Sequence, residues 1–205
     1  MSLSLLLAFS AFAFVTSITP GPNNVMVLAS GVNFGFRKTV PHIAGISLGF
    51  MVLVLAVGFG CGGLFEAYPV LYTILRYAGA AYLLYLAWGI ARSGPMSTGE
   101  TSGRPMSFLQ AAAFQWINPK AWVMAVGAIT AYVPHENFFI NVIVIAAVFA
   151  VVNAPSVSSW AMFGVVLRRY LSDPKAVRVF NAVMALLLVA SLYPLLDDLL
   201  QVIRG

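Results

Sequence analysis

Residues 14–24 read FVTSITPGPNN. The stretch lies inside what is otherwise the first apolar helix of the chain, among Leu, Ala, Phe and Val. Proline weakens a helix interior by about 3 kcal/mol and glycine by about 1 kcal/mol. Two prolines, a glycine and two asparagines within six residues therefore predict an interrupted helix, and the interruption raises the question of what it serves.

The solvent around that helix follows from composition. Hydrophobic residues make up 61% of the 205 residues and charged residues 8%, against about a quarter charged in an average soluble domain. The chain reads as an all-α integral membrane protein, a single transporter-sized domain over 1–205 with no room for a soluble one. A helix needs about 20 apolar residues to cross the hydrocarbon. Apolar runs near 3–32, 41–64, 69–91, 107–132, 137–162 and 177–197 supply six such spans. Met1 to Ser17 lacks a basic residue ahead of its apolar run, so it is read as a retained helix and not a signal peptide. The net charge of +5 comes from basic residues scattered singly or in pairs, which excludes a nucleic-acid surface and points to membrane topology. The partners expected are membrane lipid and a small solute; a homo-oligomer is left open.

Arg37, Lys38, Arg92, Arg104, Arg168, Arg169, Lys175 and Arg178 fall in three loops on one side. The other side holds Arg204 and Arg76, the latter expected to snorkel, with Glu66, Glu136, Asp197 and Asp198. The positive-inside bias puts the three basic loops in the cytoplasm and, with six spans, both termini outside.

Three spans precede the Arg92 to Arg104 loop and three follow it, so the halves, approximately 1–95 and 104–205, enter the membrane from opposite sides. That is an inverted repeat, whose binding site is expected where broken helices of the two halves meet. Span 4 carries the matching break at Gln115-Trp-Ile-Asn-Pro-Lys120, because the apolar run after Lys120 is too short to cross alone. A third irregularity is expected in span 5 at Asn153-Ala-Pro155.

Proline removes an N–H and displaces the carbonyl four residues earlier, freeing the acceptors of Thr16, Ile18 and Gln115. Such groups survive at membrane depth only inside protein or beside a wet cavity. Beyond each break a new half-helix starts at proline and offers N–H groups and positive dipole to an anion. The freed carbonyls, with Asn23, Asn24, Gln115 and Asn118, suit an ammonium group or a coupling ion. A zwitterionic amino acid meets both needs. The candidate substrate-binding residues are Thr19, Pro20, Gly21, Pro22, Asn23, Asn24, Gln115, Asn118, Pro119, Lys120 and Asn153. On an unbroken helix Gln115, Asn118 and Trp122 would share a face and Lys120 would point elsewhere. Lys120 is the charge most suggestive of function, with snorkelling to the surface as its alternative.

Other signals carry less. Gly45-Ile-Ser47-Leu-Gly49 fits the letter of a nucleophile elbow near His42, but an elbow needs a strand and a sharp turn. Gly45 with Gly49, and Gly31 with Gly35, read as helix-packing faces. Trp116, Trp122 and the tyrosines of span 3 read as interfacial or packing residues. The two histidines, His42 and His135, are placed in loops or span ends on opposite sides, and Cys61 is the single cysteine. No metal site, no cofactor and no enzyme activity are expected. The rival readings are a passive channel or pore for small solutes and, further off, an intramembrane enzyme using Ser47 and His42.

Thr19-Pro-Gly-Pro-Asn23, Gly35-Phe-Arg37, Gly45-Ile-Ser-Leu-Gly49, Gly79-Ala-Ala-Tyr-Leu83 and Asn118-Pro-Lys-Ala121 resemble motifs of the LysE/RhtB superfamily of amino-acid exporters. Thr19 to Asn24 with Ala44 to Phe50 is most similar to its cysteine/O-acetylserine branch. The resemblance implies efflux of amino acids or their derivatives across a bacterial inner membrane, driven by the proton motive force. It implies a neutral or small polar substrate here, since apart from Asp197 at the very end of the last span no Asp or Glu falls within a span to hold a cationic side chain.

Overall fold

The structure is a computed structural model that describes residues 1–61, 67–92, 104–171 and 173–192, without the side chains at 61, 69, 71, 72, 75 and 76. The expectations for Glu66, Asp197, Asp198 and Arg204, for the side chains of Cys61 and Arg76, and for the interior of the Arg92 to Arg104 loop lie outside the described residues. Those residues form eight α-helices. They are α1 (Leu3–Ile18), α2 (Pro22–Phe34), α3 (Phe36–Ala56), α4 (Pro69–Arg92), α5 (Phe108–Phe114), α6 (Pro119–Tyr132), α7 (Phe138–Arg168) and α8 (Pro174–Ala190). A π-helical turn, Val57–Cys61, extends α3. Phe36–Gly60 and Phe138–Arg168 are long and apolar enough to cross a membrane, and α1 with α2, bent by 55° across their break, make a third such unit.

Prolines decide where helices stop, but only in company. A residue before proline is pushed out of the helical region. Thr19 before Pro20 (φ −63°, ψ 145°), Asn118 before Pro119 (φ −83°, ψ 108°) and Asp173 before Pro174 (φ −84°, ψ 130°) are all extended. Asn118 and Asp173 then cap the next helix, accepting from the N–H of Lys120 at 3.2 Å and of Lys175 at 2.9 Å. Pro41 and Pro155, each preceded by an apolar residue that cannot cap (Val40 and Ala154), stay inside α3 and α7. The interruption expected at Asn153-Ala-Pro155 is therefore absent: α7 passes through it unbroken, with Asn153 buried.

The loop expected between spans 1 and 2 also shrinks. Only Gly35 separates α2 from α3, and its φ of 81° is a conformation open mainly to glycine. Gly35 is thus a joint and not the second half of a packing face with Gly31. His42, expected near a loop, lies inside α3 at 1% exposure.

Lipid tails are as apolar as leucine, so helices in a membrane associate through close packing and hydrogen bonds more than through the hydrophobic effect. The central helix α7 packs against α1, α2 and α3; α3 packs against α5, and α4 against α8. Where α2 crosses α7, Gly31 faces the carbonyl of Ala161 and Gly164 faces that of Leu28. Gly45 and Gly49 let α3 lie against the backbone of α5 at Phe108 and Ala112, the packing role read from their spacing. Phe149 of α7 fills the middle, edge-on to Phe9 of α1 and to Phe50 of α3, with centroids 4.9 Å apart in both pairs.

A Cβ at residue 31 would press on backbone, which cannot swing aside. Gly31→Ala is therefore expected to destabilise the fold by roughly 1–3 kcal/mol, read as a lower melting temperature in detergent. Gly127→Ala, whose new Cβ would meet only Phe12 Cζ at 3.8 Å, is expected to leave the melting temperature unchanged or slightly raised.

Candidate functional site

The breaks of α1/α2 and α5/α6 meet. The side-chain amides of Asn23 and Gln115 face each other across the two halves, Asn23 Nδ2 donating to Gln115 Oε1 at 2.8 Å and Gln115 Nε2 returning to Asn23 Oδ1 at 3.2 Å. Beside them Lys120 reaches over the other break. Its Nζ donates to the carbonyl of Thr19 at 2.8 Å, to Thr19 Oγ1 at 3.0 Å and to the carbonyl of Pro20 at 3.3 Å. Gly21 makes room for that stem: a Cβ there would stand 2.8 Å from Lys120 Cδ. Its φ of −177° is ordinary extended backbone, so proximity and not conformation calls for glycine.

Five consecutive carbonyls, Thr16 to Pro20, come free at the end of α1, and each has a side-chain partner. Thr19 Oγ1 donates to that of Thr16 at 3.0 Å, and Asn24 Nδ2 to those of Ser17 at 2.9 Å and Thr19 at 2.8 Å. Trp160 Nε1, from α7, donates to that of Ile18 at 3.0 Å, and Lys120 serves Thr19 and Pro20. The carbonyls expected to await an ammonium or ion are thus closed by the protein's own donors, one of them an ammonium. The first turn of α6 is capped by Asn118, whereas α2 starts at Gly21 with no side-chain cap.

A second polar thread runs into the break through the core. Ser47 Oγ of α3 donates to Asn153 Oδ1 of α7 at 3.1 Å, and Asn153 Nδ2 donates to Ser17 Oγ of α1 at 3.3 Å. Ser47 therefore serves Asn153 and not His42, whose two ring nitrogens have no hydrogen-bond partner among the described residues; the Ser47–His42 enzyme reading has no geometric footing.

Gly21, Asn23, Asn24, Gln115, Asn118, Lys120 and Asn153 line one cleft with Phe50, Met124 and Val157. Thr19 and Pro20 bound it through the carbonyls that hold Lys120, while Pro22 and Pro119 open the two half-helices from behind. Lys120 points to the same cleft as Gln115 and Asn118, against the projection from an unbroken helix, because the turn at Gln115 to Ile117 resets the helix phase. Trp122 is buried and donates to the carbonyl of Trp116 at 2.7 Å. Ser17 was not singled out from sequence, Thr16 was read only for its carbonyl, and Ser47 only for the glycine motif and the enzyme alternative. Their signal was present as small hydroxyls in apolar helices, but such residues are common there and only the fold shows which of them face the breaks. The free space in the cleft is about 20 Å³, enough for a water and too small for an amino acid.

Apolar helices of membrane length, packed through glycines around polar groups that seal two helix breaks, define a multi-pass membrane protein. Residues 14–191 match the family described as LysE type translocator, and the chain belongs to that family. It is 34% identical over 190 residues to the cysteine/O-acetylserine efflux proteins of Escherichia coli (strain K12), Escherichia coli O9:H4 (strain HS) and Shigella sonnei (strain Ss046). Those alignments cover 92% of this chain and 96% of each relative. No solved structure matches the chain.

Among the described residues Asn24 alone satisfies the carbonyl of Ser17. Asn24→Leu is expected to destabilise the protein by about 1–3 kcal/mol, the penalty for a buried acceptor left unpaired. Melting in detergent would show it, against an Asn23→Leu variant whose partner Gln115 keeps a second bond to the carbonyl of Ala111 at 2.9 Å and which is expected to lose less.

Proposed function

We propose that the chain is a secondary-active exporter that moves amino acids or their small neutral derivatives, cysteine and O-acetylserine among them, out of the cytoplasm across a bacterial inner membrane. Its six spans form two inverted three-helix halves, approximately 1–95 and 104–205, with spans 1 and 4 broken, both termini outside, and transport driven by the proton motive force. The relatives support the substrate class by their names. The packing map supports the repeat. Exchanging the halves carries the α3–α7 and α4–α8 pairs onto themselves and the α1–α7 pair onto α5–α3.

The observation that carries the reading is Lys120 Nζ seated on the carbonyls of Thr19 and Pro20 at 2.8 and 3.3 Å. An ammonium already occupies the place that a substrate ammonium would take. When an amino acid enters, its ammonium takes over those carbonyls and its carboxylate takes the released Lys120 Nζ together with the uncapped first turn of α2, where Asn23 and Asn24 lie. The Asn23–Gln115 pair opens to accept the remaining polar groups. Charge-assisted bonds are exchanged one for one, so the empty and loaded states stay close in free energy, as a carrier that must both bind and release requires. Such a swap also suits a cleft whose free space is about 20 Å³, which favours a carrier over a standing pore.

Replacing either Asn23 or Asn118 by Leu is expected to abolish efflux of labelled cysteine or O-acetylserine while membrane insertion persists. Lys120→Met, which removes the carboxylate's partner, is expected to lower efflux by at least about tenfold. A protonophore is expected to collapse accumulation by the wild type. Full transport in both asparagine variants would end the site assignment, and efflux indifferent to the protonophore would end the energy assignment.

A further inference from the structure

A second cavity, of about 420 Å³, lies beside the far end of α2, between α2, α3, α4 and the segment leading into α5. It has room for an amino acid, as the cleft at the breaks in this structure does not. Arg92, Arg104 and His42 line it, with Asn33, Gln110 and Tyr82. His42 is 1% exposed, and its two ring nitrogens are enclosed with no partner among the described residues. Its ring stands in the wall of the cavity without offering those nitrogens to it.

The other polar groups are partly engaged. Asn33 Nδ2 donates to the carbonyl of Ala29 at 2.8 Å and to Asn181 Oδ1 at 2.9 Å, and Gln110 Oε1 accepts from the N–H of Ser107 at 2.9 Å. The Arg92 guanidinium lies over the Trp88 ring, 4.5 Å from its centroid, a stacking that leaves the N–H edge of its planar fork available for a carboxylate. Two cations with Asn33, Gln110 and Tyr82 in a partly apolar chamber of this size fit a small carboxylate-bearing molecule with a second polar group.

We propose that this cavity is a loading site for the exported amino acid: Arg92 and Arg104 hold its carboxylate, Tyr82 and Gln110 meet its other polar groups, and His42 stands in the wall beside them. The ligand class rests on the export reading; the site itself does not. Both ends belong to α2, with about 15 Å of helix running from Asn33 back to Asn23. One helix thus carries two stations, and cargo collected at its C-terminal end reaches the breaks at its N-terminal end.

The test uses the full chain in phosphatidylcholine nanodiscs, which exclude anionic headgroups, with ¹⁵N-labelled histidine rings. The chain has two histidines, so exposed His135 serves as an internal control, and His42→Gln assigns the signals. Under reducing conditions L-cysteine is expected to shift the His42 signals saturably and to leave those of His135 in place. Cysteamine, the same molecule without the carboxylate, is expected to shift neither. Arg92→Gln combined with Arg104→Gln is expected to weaken the L-cysteine response about tenfold. A His42 signal that ignores L-cysteine, that responds equally to cysteamine, or that titrates alike in the double variant would overturn the loading site and leave a water-filled cavity. Counterflow of L-cysteine in proteoliposomes separates the two proposals. A saturable His42 shift without counterflow overturns export alone, and counterflow without the shift overturns the loading site alone.

Discussion

Five backbone carbonyls in a row, from Thr16 to Pro20, have lost their helical partners, and in an apolar surrounding they must find others. The arrangement around them answers that demand. Asn24 folds back from α2, Trp160 reaches in from α7, and Lys120 crosses from α6. Because those donors come from three different helices, satisfying the break fixes how the helices sit relative to one another. The interruption that weakens one helix thereby becomes the organiser of the bundle.

Two kinds of contact divide the labour. Glycines at 31, 45, 49 and 164 bring backbones together so closely that no side chain intervenes. These contacts are rigid and exist in one arrangement. The hydrogen bonds at the breaks are made by long or rotatable side chains, the Lys120 stem and the Asn23 and Gln115 amides, whose partners can be exchanged without moving a helix far. A protein that binds a solute in one state and releases it in another needs both properties: a scaffold that holds and a polar centre with alternatives of similar energy.

Much of this was legible in the sequence. Proline doublets and Asn-Pro marked both breaks because backbone chemistry at proline is local, and apolar lengths marked the helices because the hydrocarbon imposes a minimum span. Misreadings arose where the same local chemistry was overruled. Asn153-Ala-Pro155 resembles a break, yet no residue there is placed to cap a new helix, and α7, held by neighbours on several sides, continues through it. Asn33 to Lys38 resembles a loop, yet the positive φ of Gly35 turns the chain in a single residue. Lys120 was projected away from Gln115 and Asn118, because a helical wheel carries no information about the turn that resets it.

Sequence alone thus determined that the chain is helical and membrane-embedded, where two of its helices are interrupted, and which amides and cation accompany the interruptions. Each of these follows from forces acting within a few residues. Tertiary structure decided that the interruptions face each other, that Lys120 closes one of them, and that Ser17 and Ser47 join through Asn153 while His42 stays unpaired in a chamber of its own. Those outcomes depend on distances between residues about a hundred positions apart, which only the packing of whole helices can set.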